Sequence, residues 1–431
     1  MSWLVKEYHL FRSCPRDMRV LLITNMIYAL VLPVIEIFVA AYVMRNSHEV
    51  SKVVTYQLAI YAATPLAFLV NGYLLGRTSV YRLYSLGMLL SGASMLVMMS
   101  STVITPAGIA ASGLMMGFST GLFWANRGFL TLSTTTDDNR NYYYGLEQFV
   151  YTVTSVLVPV AIGWFIEGTA RNGWFGGVRN EAYRIVAICV CALTVIASVI
   201  VHRGSFVNPP KTRFIFFRFH RLWYKLLSLS VLKGLAQGYF VTAPAMLIML
   251  LVGQEGALGT IQAAGGVISS FVLYAVGRTA KPRHRLLVFA FGLVLFAVGS
   301  LVNAVMFDAK GVLIFMACLL LAKPLLDIAY FPIQMLIIDI VSRIEGRNQY
   351  AYIFNCEFSL FLGRFLGCGL FILLARYVSD VAALKFALPI IAALQLLSIW
   401  VTRSALSEAE TISVEVSEEI DEEVVIRGVA P

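Results

Sequence analysis

Long apolar runs recur along the whole of this chain, and they constrain it more than any motif does. Twelve of them reach the roughly 20 residues that a helix needs to cross a bilayer. They lie at 18–44, 51–75, 83–103, 106–129, 146–166, 183–201, 222–252, 258–276, 286–306, 312–340, 350–377 and 381–401. Inside hydrocarbon every backbone N–H and C=O must be satisfied within the protein, so only helices and closed barrels span. The runs predict an all-α membrane protein of twelve transmembrane helices. Composition agrees: 59% of 431 residues are hydrophobic, 13% are charged and mean hydropathy is +0.79, far from an average soluble domain.

Orientation follows from Lys and Arg, which accumulate in short cytoplasmic loops. With both termini inside, cytoplasmic segments up to Arg403 hold 21 of these residues and the external loops and outer span ends hold 8. A multi-pass protein of the bacterial inner (plasma) membrane with both termini cytoplasmic is expected. The net charge of +9 reads as topology and attraction to lipid headgroups, not nucleic-acid binding, since no basic block is interleaved with a nucleic-acid motif. The charged segment 1–17 carries no small-residue cleavage site, so the first run is expected to be an uncleaved signal anchor. Eight acidic residues and no basic ones between Ser407 and Val425 predict a solvated, flexible tail.

The chain also repeats itself. Gly76-Arg77-Thr78, after span two, recurs as Gly277-Arg278-Thr279 after span eight, and Arg140-Asn141 with Tyr143 recurs as Arg347-Asn348 with Tyr350. Both echoes fall in cytoplasmic loops at equivalent positions, which predicts two six-helix halves. The expected division is a 1–17 segment, a half at 18–201, a basic linker at 202–221 containing Pro209 and Pro210, a second half at 222–403 and an acidic tail at 404–431.

With this layout the chain resembles the major facilitator superfamily over all but its acidic tail. The family's loop after span two often reads Gly-x-x-x-Asp-Arg-x-Gly-Arg-Arg. Here Gly72 and Arg77 match, Gly76 stands in place of the Asp, Ser79 in place of a Gly, and Arg82 falls one place late. Of the antiporter pattern in span five, Pro159 and Gly163 are present, while Val158 and Ile162 replace glycines. Phe123-Trp124-Ala125-Asn126-Arg127, Arg140-Asn141, and Glu357 with Gly363-Arg364 resemble a subgroup of bacterial permeases with no assigned substrate. The resemblance implies a monomer whose span one lines a central cavity, and of the gating loop it carries over only Gly72 and Arg77; Arg127, Arg140, Arg278 and Arg347, in cytoplasmic loops or at cytoplasmic helix ends, are further gating-loop candidates.

An ionisable group deep in a bilayer costs at least about 2.5–3.5 kcal/mol on insertion scales, so each needs a partner, a wet cavity or a function. Arg364 falls almost midway along span eleven, seven residues after Glu357 and on nearly the same helical face. Span one carries a mostly polar stripe, Asn25, Tyr28, Leu32 and Glu36, with Pro33 beside it. Glu36 is a candidate proton carrier, because burial and an approaching cation act on a carboxyl in opposite senses. Lys233 and Gln237 share a face of span seven. In span ten Lys323 and Asp327 are four apart and can neutralise each other, with Tyr330 and Gln334 continuing that face. These acids and bases can equally be static ion pairs. Trp124 and Asn126 are secondary cavity candidates, and Glu147 is expected near cytoplasmic water.

Gly113, Gly117 and Gly121 repeat every fourth residue, a spacing that suits close helix packing. The six cysteines are scattered. Cys189 and Cys191 point apart on a helix, the five histidines lie in termini or loops without ligand spacing, and no nucleophile is set beside a base. No phosphate-binding loop appears. The expectation is therefore not an enzyme and no cofactor. It is a secondary transporter moving a small solute by alternating access, with membrane lipid around it and protons as candidate coupling ions. A lipid or amphiphile exporter, or a non-transporting sensor or scaffold on the same fold, is the alternative.

Overall fold

A computed structural model describes residues 9, 11–47, 49–75, 77–100, 105–135, 137–208, 215–253, 255–279, 284–347 and 349–427. Among them there is no strand, and long helices follow one another in chain order. The first, α1, spans Arg16–Ser47 as two α-helical pieces joined by a π-helical turn. Then come α2 (Val50–Leu74), α3 (Val80–Ser100), α4 (Pro106–Thr134), α5 (Asp137–Asn172) and α6 (Arg179–Val201). After the connection come α7 (Arg221–Leu251), α8 (Glu255–Thr279), α9 (Arg285–Met306), α10 (Ala309–Glu345), α11 (Gln349–Tyr377) and α12 (Asp380–Arg427).

Among the described residues eleven helices are long and apolar enough to cross a membrane. For α8 the apolar part among the described residues, Gly256–Val272, is shorter than the others. Large apolar side chains such as Phe271, Leu287, Val305 and Trp400 stay exposed on the outside, as hydrocarbon rather than water would require. The acidic segment does not begin as an irregular tail. The backbone of α12 continues as helix to Arg427, and Glu408 within it is buried against Arg221 and Lys225 of α7.

Packing repeats between the first six helices and the last six. In each set the second helix packs on the fourth, the third on the fourth and sixth, and the first on the fourth, fifth and sixth. Small residues permit these approaches. A Cβ built on Gly117 would lie 2.6 Å from the Ala63 Cβ, so α4 and α2 touch backbone to backbone there. The two sets meet chiefly along α2 with α11 and α5 with α8.

One further contact between the sets is one-sided. Call the face where α1 and α7 begin the N-terminal face. At the opposite face the last turns of α1 pack on α7, with Ala41, Val43, Met246, Leu247 and Ile248 fully buried in one core. There too the Val50 amide, at the start of α2, donates to Asp380 Oδ2, at the start of α12, at 3.3 Å. Among the described residues α4 and α5 make no comparable packing with α10 or α11. The α1–α7 seam is thus closed at the opposite face, while toward the N-terminal face Phe68 of α2, Ala125 of α4 and Phe354 of α11 share a small buried cluster.

Candidate substrate cavity and charged clusters

Pro33 interrupts α1, because proline has no N–H to donate and crowds the preceding turn. The chain recovers through a π-helical turn, Val34–Phe38, in which the Val34 and Ile35 amides both donate to the Val31 carbonyl (3.1 and 3.2 Å). Glu36 sits in that turn. Such bulges re-aim a side chain relative to a regular helix. Here the carboxylate is turned into a cavity of about 380 Å³ lined by both sets of helices, including Glu36, Tyr151, Gln262, Ser269, Lys323 and Asp327. Pro244 of α7 and Pro324 of α10 line it as well. Glu36 and Lys323 make no hydrogen bond or ion pair with any described residue, though Lys323 is near enough to act on Glu36 electrostatically.

Beside the cavity the other charges of the second set, Lys323 apart, are held in pairs. Lys233 Nζ lies 3.1 Å from Asp327 Oδ1, and the same ammonium stands 3.7 Å from the ring centre of Tyr330 and 4.2 Å from that of Phe331. A cation over aromatic faces gains about 0.5–2 kcal/mol. Asp327 is therefore paired across helices, with α7, and not with Lys323 on its own helix as the four-residue spacing suggests. The side chains of Lys323 and Asp327 both reach the cavity, but neighbouring α7 offers Asp327 an ammonium in closer reach. Tyr330 completes the contact, its hydroxyl 2.9 Å from Ser230 Oγ.

Arg364 is 7% exposed at mid-helix in α11. Its Nε donates to Gln237 Oε1 (2.9 Å), its NH1 lies 3.5 Å from Glu357 Oε2, and its guanidinium stands over the Tyr61 ring at 4.7 Å. Tyr61 belongs to α2, and its hydroxyl also donates to the Gln237 carbonyl at 3.3 Å. The deepest arginine thus joins the two sets of helices. The seven-residue spacing of Glu357 and Arg364 was readable from sequence; the aromatic partner on α2 was not.

The first set contains a cluster that burial, not spacing, reveals. Glu147 is 3% exposed and forms an ion pair with Arg127 of α4. Asn25 Nδ2 donates to Glu147 Oε1 (2.6 Å) and to the Tyr143 hydroxyl (2.8 Å), and Tyr84 donates to Asn25 Oδ1. This corrects the expectation that Glu147 meets water. α5 begins at Asp137, well before the apolar run, so Glu147 lies nearly three turns inside the helix rather than at its start. The tyrosine four residues before it, Tyr143, was the available signal.

The remaining candidates are dispersed. Tyr28 donates to Ser91 Oγ (3.1 Å) and packs on Phe123, centroids 4.4 Å apart. Asn126 donates to Asn71 Oδ1 at 2.6 Å, where both are fully buried. Trp124 is exposed, with Arg127 over its ring at 5.2 Å, and Gln334 is buried. Arg77 is exposed and Gly72 half-buried, and Arg347 donates to the Arg218 carbonyl (2.6 Å) and pairs with Glu345 (2.9 Å). The side chains of Arg140 and Arg278 lie outside the described residues.

Comparisons place this arrangement among known proteins. A family model described as Major Facilitator Superfamily matches residues 20–368. The chain is 22% identical over 362 residues to the uncharacterized protein YqgE of Bacillus subtilis (strain 168), covering 83% of this chain and 81% of that one. It is 26% identical over 203 residues to an uncharacterized protein in the sodM 3' region of Geobacillus stearothermophilus, covering 45% of this chain and 91% of that one. Among solved structures it is similar to a bacterial homologue of the iron transporter ferroportin in an inward-facing state (TM-score 0.65, 15% identity, covering 90% of this chain and 98% of that one). It is also similar to a D-xylose–proton symporter (TM-score 0.66, 14% identity, 89% and 96%).

Proposed function

The chain belongs to the major facilitator superfamily, and from that premise we propose that it moves a small solute across the bacterial inner membrane by alternating access, coupled to a proton. The observation that carries this reading is the cavity of about 380 Å³ between the two sets of helices, into which Glu36, Lys323 and Asp327 all reach. Charges held deep in a bundle mark a transport path, because hydrocarbon tolerates them only where a ligand, water or a partner answers them.

The first and second sets then rock against each other along α2 with α11 and α5 with α8. With both termini cytoplasmic, the N-terminal face is the inner one, and packing of α1 on α7 closes the outer side. Glu36 is the coupling group of this scheme: a carboxyl without a partner among the described residues responds to whatever enters, whereas Asp327 already has Lys233. A proton biases the two orientations only if it binds them unequally. Arg364 serves as the pivot contact through Tyr61. The cavity's size and charged wall favour a compact polar solute over a lipid, and a monomer suffices, since the path lies within one chain.

The experiment is uptake into liposomes containing the purified protein, screening pooled metabolites with and without an imposed pH gradient. Accumulation that requires the gradient and vanishes in Glu36→Gln is the expected result. Uptake indifferent to the gradient removes the proton from the scheme, and a folded protein that moves nothing removes transport.

A further inference from the structure

Resting on that reading, we propose that the solute is a zwitterion, its cationic group taken by Glu36 and its anionic group by Lys323. The other charges nearby already answer one another. Lys233 neutralises Asp327 at 3.1 Å, and Arg364 has Glu357 and Gln237. Glu36 and Lys323 are left, one negative and one positive, both reaching the same cavity and neither bonded to a described residue.

They come from different sets of helices, Glu36 from the π-helical turn of α1 and Lys323 from α10, beside Pro33 and Pro324. Both line the same cavity, and among the described residues no ion pair joins them. When the sets close and water leaves, each bare charge must be matched or its desolvation is uncompensated. A solute with one charge matches one wall and strands the other. A neutral solute strands both. A zwitterion matches both and ties α1 to α10 at once.

The rest of the wall agrees. Thr152, Ser155, Gln262, Ser269 and Ser270 supply uncharged donors and acceptors for the body of such a molecule. A volume of about 380 Å³ sits at the lower end of the roughly 300–1,000 Å³ typical of small-molecule sites. An amino acid or a small betaine fits the charge pattern and the volume together.

The test uses the full chain, purified, with the standard L-α-amino acids, taurine and glycine betaine as probes. Each amino acid is run beside its amine lacking the carboxylate and its acid lacking the amine. Binding is read as thermal stabilisation of the folded protein and as competition against the best probe. At least one zwitterion should bind about tenfold or more tightly than either singly charged analogue. Glu36→Gln should lower zwitterion affinity while sparing the carboxylic acid, and Lys323→Met should spare the amine. Unfolding curves without ligand show that both variants fold.

Singly charged analogues binding as well as the zwitterion overturn the inference, and so does a panel in which no zwitterion binds at millimolar concentration. Liposome uptake separates this from the broader reading. A zwitterion that binds through both residues but is never moved defeats transport and leaves the binding chemistry standing. An uncharged solute accumulated with the pH gradient does the reverse.

Discussion

Glu147 shows what burial does to a single carboxylate. It accepts from Asn25 and pairs with Arg127, and it has almost no contact with solvent. Deleting one partner of a buried pair strands the other charge at about 3–5 kcal/mol, while removing both is far milder. Arg127→Met is therefore expected to lower unfolding stability by about that much, and adding Glu147→Gln should recover most of the loss. Chemical unfolding of the two single variants and the double variant decides it; additive losses would mean that the pair is not coupled. Asn25, Tyr84 and Tyr143 remain in all three, so the cycle isolates the ion pair within its hydrogen-bond network.

Among the elements, α1 is shaped most by one residue. Proline in a helix interior costs about 3 kcal/mol relative to alanine, and here it is retained beside Glu36, a carboxylate that faces the cavity without a partner among the described residues. Pro33→Ala lets the helix run regularly, and losing the extra residue of a π-turn swings the rest of α1 by about 100° around the axis. The expected outcome is a protein as stable as the original or more so, with uptake reduced because Glu36 no longer faces Lys323. Wild-type uptake by a folded Pro33→Ala protein would show that the turn is incidental. The end of α12 follows similar logic: Glu408 bonds Arg221 and Lys225 at the start of α7, which gives the acidic segment a reason to stay helical there.

At the scale of the molecule the closed face governs. Alternating access requires the contact of α1 on α7, and of Val50 with Asp380, to break in every cycle. In a background without the six native cysteines, Val50→Cys with Asp380→Cys places two thiols across that seam. Bridging them by oxidation or a short bifunctional thiol reagent should stop uptake, and reduction should restore it. Uptake that continues at the unbridged rate would place the moving seam elsewhere.

The sequence by itself determined the membrane class, the long helices, the six-plus-six repeat and the depth of Arg364. Each of these is a property summed along the chain: apolar length, loop charge, spacing and repetition. Tertiary structure alone decided that Asp327 pairs with Lys233 instead of Lys323, that Glu147 is buried, that Tyr61 stacks on Arg364, and that Glu36 and Lys323 share one cavity. Those outcomes depend on how far each helix is rotated about its axis and which neighbour it packs on. Several partners lie within a side chain's reach along a helix, and lateral packing, which no local pattern encodes, selects among them.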